Sequence, residues 1–312
     1  MINIDGELKS SDNATIAYNN RGTFYGDGIF ETIRCFNGQP LLFEAHYFRL
    51  MSGMRILRMD IPDTFTPEFI EESVINLLNH NQLNTGHARI RFTVWRQTGG
   101  LYSPLNNGVH YSIHSSKLDG SYQNDINRTA ELFKDHYVLS GLLNTIKSTN
   151  KIVNVLAGRY ALDNDYEELF LVNEKKMITE GISGNVFVRT GNKVKTPPVL
   201  DGCLNGLMRE QVIQQLKRML DYDVKEETLS PFELQRADEI FTTNVVKGIQ
   251  SVDKYRKKEF NRVLATELLE IFNDKFLINY KKGFQVHSTT TYNYHLILAF
   301  LFSIAHVFHQ IK

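Results

Sequence analysis

Residues 24–43 read FYGDGIFETIRCFNGQPLLF, and this stretch decides how the first third of the chain folds. Apolar residues alternate on both sides of Asn37-Gly38, a dipeptide that favours the positive φ angles of a two-residue hairpin turn. The pattern predicts two antiparallel strands. Immediately afterwards the period changes. In residues 44–58, EAHYFRLMSGMRILR, Tyr47, Leu50, Met51, Met54 and Leu57 fall at helical spacing. Pro62 and Pro67 bound a second helix, and Pro67 suits a first helical position, where its missing N–H is no loss. Alternation returns in residues 88–95, ARIRFTVW, stops at Thr98-Gly99-Gly100, and Tyr111–Ser115 reads as the return strand. Towards the N-terminus, Ile2–Ile4, Asp5-Gly6 and Leu8 read as a short hairpin.

Towards the C-terminus, residues 117–128, KLDGSYQNDINR, are polar and rich in turn formers, which predicts a linker between two domains. The expected boundaries are 1–118 for a small domain, 119–128 for the linker and 129–280 for a larger domain. Within the larger domain, residues 151–163, 208–220 and 260–273 read as helices. Residues 168–172, 186–188 and 240–243 read as strands. Strands and helices mix without a regular βαβ series, so the fold class is α+β in both halves. Residues 281–312 are atypical. The run Leu296–Phe308 is apolar but shorter than the about 20 residues a membrane-spanning helix needs. A buried or loosely attached terminal helix is expected there, with an artefactual extension as the alternative.

Composition narrows the function classes. Apolar residues make up 42% of the 312 and charged residues 22%, which is globular usage and excludes wholesale disorder. Lys plus Arg and Asp plus Glu are 35 each, so charge gives no reason to expect a nucleic acid or membrane partner. Two cysteines, Cys35 and Cys203, make no disulfide framework, and a reduced, cytoplasmic setting is expected. No secretory leader is visible in MINIDGELKSS. His80, His87, His110 and His136 show no ligand spacing and are read as structural or surface residues, with no metal site.

Phosphate-loop and nucleophile-elbow motifs are absent. Four segments carry the chemistry instead: LNTIKSTN (143–150), ITEGISGNVF (178–187), LNGLMRE (204–210) and FTTNVVKGIQSV (241–252). Together with FYGDGIFETIR, and in this order, they resemble the class IV aminotransferases, the fold type IV pyridoxal phosphate enzymes. That family includes branched-chain aminotransferases, D-amino acid transaminases and 4-amino-4-deoxychorismate lyases. The resemblance runs from residue 1 to about 275 and implies a two-domain enzyme with pyridoxal 5'-phosphate between the domains.

What the resemblance implies can be followed residue by residue. Lys147, in K-x-x-N with Asn150, matches the lysine that holds the cofactor aldehyde as a Schiff base. An electrophilic cofactor needs such an amine. Glu180, in E-G-x-x-x-N-x-F with Asn185, matches the carboxylate that keeps the pyridine nitrogen protonated. Gly206, Leu207 and Met208 open a helix whose amides suit a phosphate. Met208 stands where many relatives have Thr, so a hydroxyl is missing. Arg49, in H-x-x-R-L, matches the family's phosphate arginine. Thr243, Asn244, Val245 and Val246 resemble the second phosphate loop. Val245 replaces the Thr of branched-chain relatives, and Asn244 is expected to compensate in part. Arg89 and Arg91 lie two apart on a strand and so face one way. Arg91 stands where branched-chain enzymes hold the substrate carboxylate, and Val246 is the third expected substrate contact. Two positions depart from the subfamilies: Leu101 where many lyases have arginine, and Ile152 where branched-chain enzymes have tyrosine.

The activity expected is amino transfer between an amino acid and a 2-oxo acid, with aminodeoxychorismate lyase as the alternative. A non-catalytic binding protein is disfavoured by the presence of both Lys147 and Glu180. The resemblance also implies a homodimer, since relatives complete the pocket with a loop of the other subunit.

Overall fold

The computed structural model describes residues 1–278, so the expectations for the 281–312 tail, including Leu296–Phe308, lie outside the described residues. Three sheets organise the described residues. The first is six-stranded and antiparallel throughout, in the order Glu7–Lys9, Ile2–Ile4, Val109–Leu118, His87–Arg96, Gly28–Phe36, Gln39–Pro40. Both expected tight turns are present. Asp5 and Gly6 have φ of 51° and 92°, and Asn37 and Gly38 have 48° and 77°, the left-handed pair that a two-residue hairpin requires.

The partner of Gly28–Phe36 differs from the local expectation. The hairpin supplies only Gln39–Pro40, while the whole strand pairs with His87–Arg96, from Gly28 opposite Trp95 to Phe36 opposite His87. Nor does burial alternate: only Thr32 and Phe36 fall short of full burial. One face packs Ile29, Ile33 and Cys35 in one core with Leu50, Met51, Met54, Leu77 and Leu78 of the helices Phe43–Ile56 and Pro67–His80. The opposite face places Phe30 and Thr32 on the wall of a cavity. A strand covered on both sides has no solvated face, so its burial is continuous even though Glu31, Thr32 and Arg34 interrupt its apolar residues. Thr66 caps the second of these helices, accepting the Phe69 amide at 3.2 Å, with Pro67 at its start as expected.

The remaining two sheets have five strands each. One runs Asp223–Glu226, Lys193–Thr196, Asn185–Thr190, Glu239–Asn244, Gly248–Val252. The other runs Lys258–Glu259, Lys254–Tyr255, Thr129–Leu132, Glu168–Val172, Ile178–Gly181. Helices Ile152–Asp163, Leu207–Arg218 and Val263–Asn273 lie within a few residues of the expected ones. Leu207–Arg218 and Val263–Asn273 share a core in which Val212, Ile213 and Leu216 meet Leu264, Leu268 and Phe272. Mixed strand pairings with helices packed on them are the α+β architecture that the sequence predicts.

Residues 119–128 are stitched to the body of the protein. Tyr122 and Arg128 are buried. Asn124 exchanges two hydrogen bonds with Ser251, Nδ2 donating to Oγ and Oδ1 accepting from the Ser251 amide, both at 2.8 Å. Among the described residues no helix is long and apolar enough to cross a membrane.

Candidate active site

Lys147 lies against the start of the strand Gly28–Phe36. Its carbonyl accepts from the Phe30 amide at 2.9 Å, and the Thr149 amide donates to Gly28 at 2.9 Å. Asn150 Nδ2 donates to the Gly26 carbonyl at 3.0 Å. The K-S-T-N segment is therefore zipped along the start of Gly28–Phe36. Asn150 anchors that zipper, while the Lys147 ammonium group lies 4.7 Å from the centre of the Phe30 ring.

Burial, helped by the Arg49 and Lys151 cations and opposed by Glu31 and Glu180, pulls the Lys147 pKa down to about 8. Glu180 sits on Ile178–Gly181, buried, and accepts the Leu204 amide at 2.9 Å. Burial raises its pKa against the pull of Lys151 and the Leu204 amide. In a desolvated site both shifts favour the neutral forms. A lone buried carboxyl of this kind is stabilised as an anion once a protonated nitrogen lies beside it.

Asn185 Nδ2 donates to the Leu204 carbonyl at 2.8 Å. Glu180 and Asn185 thus hold the two ends of Leu204 and set the loop that leads into Leu207–Arg218. At the helix start, a Cβ on Gly206 would lie 1.9 Å from Asn185 Oδ1, so only glycine fits. The amides of Leu207 and Met208 are first-turn donors with no intrahelical acceptor, and both residues border the cavity.

Arg49 approaches the same loop from Phe43–Ile56. Its Nη1 donates to the Asn205 carbonyl at 3.0 Å, and its Nε and Nη2 form a fork on Glu31 at 2.8 and 2.6 Å. Three of its five N–H donors are engaged in this way, leaving two for a ligand. Glu31 is buried. Burial alone would raise its pKa, but Arg49 and His46 hold it at about 2. His46 Nδ1 lies 2.7 Å from Glu31 Oε2 and carries the proton of that hydrogen bond, since the carboxylate is ionised. Glu31 lies within FYGDGIFETIR and His46 within H-x-x-R-L, but neither pattern gives them a role of their own.

At the turn after Glu239–Asn244, Asn244 is already engaged by protein groups. Its Oδ1 accepts the Val246 and Lys247 amides at 2.9 and 2.7 Å, and its Nδ2 donates to Ser183 at 3.2 Å, so the side chain folds its own loop. The free hydroxyl here belongs to Thr243, whose Oγ1 is buried without a partner on the cavity wall.

Arg89 and Arg91 stand on one face of His87–Arg96, opposite Arg34 and Thr32 in register. The Arg91 guanidinium covers the Phe30 ring at 3.8 Å, and Arg89 Nε is buried without a partner. Burial and the neighbouring Arg89 lower the Arg91 pKa. Neither is the solvated strand face that charge alone would allow. Leu101, in contrast, is exposed and offers only its carbonyl to Arg21, at 2.6 Å.

One cavity of about 360 Å³ gathers Lys147, Glu180, Asn185, Arg49, Gly206, Leu207, Met208, Asn244, Val245, Val246, Arg89 and Arg91. Its lining includes amides, an orphaned hydroxyl and a guanidinium, a donor set for a dianion, together with a buried carboxyl and a lysine of lowered pKa.

The class IV amino-transferase family model matches residues 28–255. The chain belongs to the class IV aminotransferase family of enzymes. A putative branched-chain-amino-acid aminotransferase of Methanocaldococcus jannaschii is 30% identical, covering 92% of this chain and 99% of the relative. D-alanine aminotransferase of Staphylococcus haemolyticus is 29% identical, covering 80% and 87%. Aminodeoxychorismate lyase of Bacillus subtilis is 27% identical, covering 91% and 97%. The branched-chain amino acid aminotransferase structure from Escherichia coli shares the fold, with a TM-score of 0.78 at 21% identity, covering 88% and 93%.

Proposed function

We propose that this class IV family member is a pyridoxal 5'-phosphate-dependent transaminase that moves an amino group between an amino acid and a 2-oxo acid. The observation that carries the reading is the placement of Lys147 and Glu180 on one cavity with the unpartnered Thr243 hydroxyl and the free helix amides of Leu207 and Met208. These residues fit the cofactor. Arg49, Gly206–Met208, Thr243 and Val245 would hold its phosphate, and Glu180 its pyridine nitrogen. Lys147 would hold its aldehyde. When bound, pyridoxal phosphate supplies an electron sink conjugated to the substrate amine.

The chain's own residues do the rest. Arg91 and Arg89, with no carboxylate partner among the described residues, bind and orient the substrate carboxylate beside Val246. Glu180 holds a proton at the ring nitrogen. Lys147 Nζ, whose proton affinity is reduced, takes the substrate Cα proton as a general base and returns a proton as the ammonium that results. Aminodeoxychorismate lyase is the second reading, favoured by the Bacillus subtilis relative, which covers nearly the whole chain.

Residues 1–118 and 129–280 form the two domains of this reading. The support is that the six-stranded sheet is drawn from residues 2–118 and both five-stranded sheets from later ones. The reading also includes a homodimer, supported by apolar side chains left exposed beside the site: Leu139, Leu143, Ile152 and Val155.

The test is a screen of amino donors against 2-oxo acids with purified protein, run beside aminodeoxychorismate. Amino transfer that depends on the 2-oxo acid supports the first reading. Release of pyruvate and 4-aminobenzoate without amino transfer replaces it with the second.

A further inference from the structure

The turn between Glu239–Asn244 and Gly248–Val252 contributes Val245, Val246 and Lys247 to the cavity wall. Two of its peptide planes are held at both ends. The Val245 carbonyl accepts from Tyr122 Oη at 2.9 Å, and the Val246 carbonyl from Arg34 Nη1 at 2.5 Å. The amides on those same planes, Val246 and Lys247, donate to Asn244 Oδ1.

Arg34 reaches this turn across 212 residues of sequence, from the strand Gly28–Phe36. It is buried, and it forms no ion pair among the described residues. Its other partners are neutral: the Gly120 carbonyl, His87 Nδ1 at 3.1 Å and the face of the Tyr122 ring at 4.4 Å. Burying a cation without a counter-charge is costly, so fold stability alone gives little reason for an arginine here.

A carbonyl of this turn that swung towards the cavity would set a partial negative charge against any bound anion. We propose that Arg34 and Tyr122 are positioning residues for anion binding, which keep the Val246 and Val245 carbonyls directed away from the cavity. Arg34 adds a buried positive charge behind the same wall. The segment 119–128, read from sequence as a linker, thereby becomes part of the device through Tyr122 and Gly120. This rests on the cavity being the pyridoxal phosphate site.

The test uses the full-length chain freed of cofactor and titrated with pyridoxamine 5'-phosphate and with pyridoxamine, neither of which condenses with Lys147. The wild type is compared with Arg34→Met, Arg34→Lys and Tyr122→Phe. Arg34→Met is expected to weaken the phosphorylated ligand about tenfold, roughly 1.4 kcal/mol, while pyridoxamine affinity stays within about twofold. Arg34→Lys should recover part of the loss, because the charge remains and the fork does not. Tyr122→Phe, which keeps the ring, should move the ratio of the two affinities in the same direction. Should Arg34→Met fail to fold, that ratio in Tyr122→Phe and Arg34→Lys decides. An unchanged ratio, or an equal loss for both ligands, overturns the positioning role. A wild type with no preference for the phosphorylated ligand instead overturns the pyridoxal phosphate reading, and the proposal with it.

Discussion

The depressed Lys147 pKa can be measured through the rate at which the cofactor-free chain captures pyridoxal phosphate. A lysine at its ordinary pKa of 10.5 has roughly one amine in a thousand unprotonated at pH 7.5. With the pKa at about 8, roughly one in four is unprotonated at that pH. The difference amounts to about 3 kcal/mol in favour of the free amine. Only the unprotonated amine has the lone pair that attacks an aldehyde. Stopped-flow absorbance from pH 6 to 10, divided by the rate of Nα-acetyl-lysine amide to remove the ligand's own titrations, isolates the protein's share. The ratio should be high and flat below about pH 8 and fall about tenfold per pH unit above it, as the free lysine goes on deprotonating after Lys147 has done so. The uncorrected protein rate should level off near pH 8. Lys151→Met removes one of the cations that disfavour the ammonium form. It should move that midpoint up by less than about one unit, since burial is the largest cause. A protein rate still rising tenfold per pH unit at pH 9.5 would show that Lys147 is an ordinary lysine and refute the electrostatic reasoning.

Three further perturbations have defined outcomes. Glu180→Gln should still bind pyridoxal phosphate but lose at least a hundredfold in turnover, because an amide cannot stabilise a protonated ring nitrogen; a loss under threefold, less than about 1 kcal/mol of barrier, contradicts the role. Gly206→Ala places a Cβ 1.9 Å from Asn185 Oδ1 and should cost about 1–3 kcal/mol of stability, with weaker pyridoxamine 5'-phosphate binding; a wild-type melting temperature and affinity would show that the loop yields freely. Removing residues 283–312 should leave cofactor absorbance and activity intact, since every cavity residue precedes Gly248; an insoluble or colourless product would place those residues in the core.

The sequence was most legible where spacing is local. The two left-handed turns, the helix with Leu50 and Met54 on its buried side, and the loop-to-helix start at Gly206 all depend on neighbours within a few positions. The cavity also brings together the twelve residues expected to hold the cofactor or the substrate. What was illegible depends on partners far away in the chain. Gly28–Phe36 looked like half of a local hairpin, because nothing in its own composition names His87–Arg96 as the longer partner. Thr129–Leu132, TAEL, is too short to announce a parallel strand between two others. Arg34 and Glu31 sit in a motif read as a strand, and their roles appear only when Val246 and Arg49 arrive against them. Asn244 is expected from the sequence to make up in part for the threonine hydroxyl missing at Val245. The loop's own amides claim it first.

The electrostatics beneath the cavity show which ionisation governs its chemistry near neutral pH. Glu31, Arg49 and His46 are buried together, yet neither Glu31 nor His46 changes charge there. Glu31, held at about 2, is ionised throughout the useful range. Burial lowers the His46 pKa despite its bond to Glu31, so the imidazole is neutral above its ordinary range of titration. This trio is a fixed part of the site: Glu31 takes the Arg49 fork and orients the guanidinium, and the two charges act on Lys147 in opposite senses. That matters because an unpaired Arg49 would lower the Lys147 pKa further, and the Glu31 carboxylate works in the opposite sense. Lys147 is left poised between them, able to lose a proton near neutrality and still able to carry one. A general base that must also act as an acid in the same turnover needs that balance.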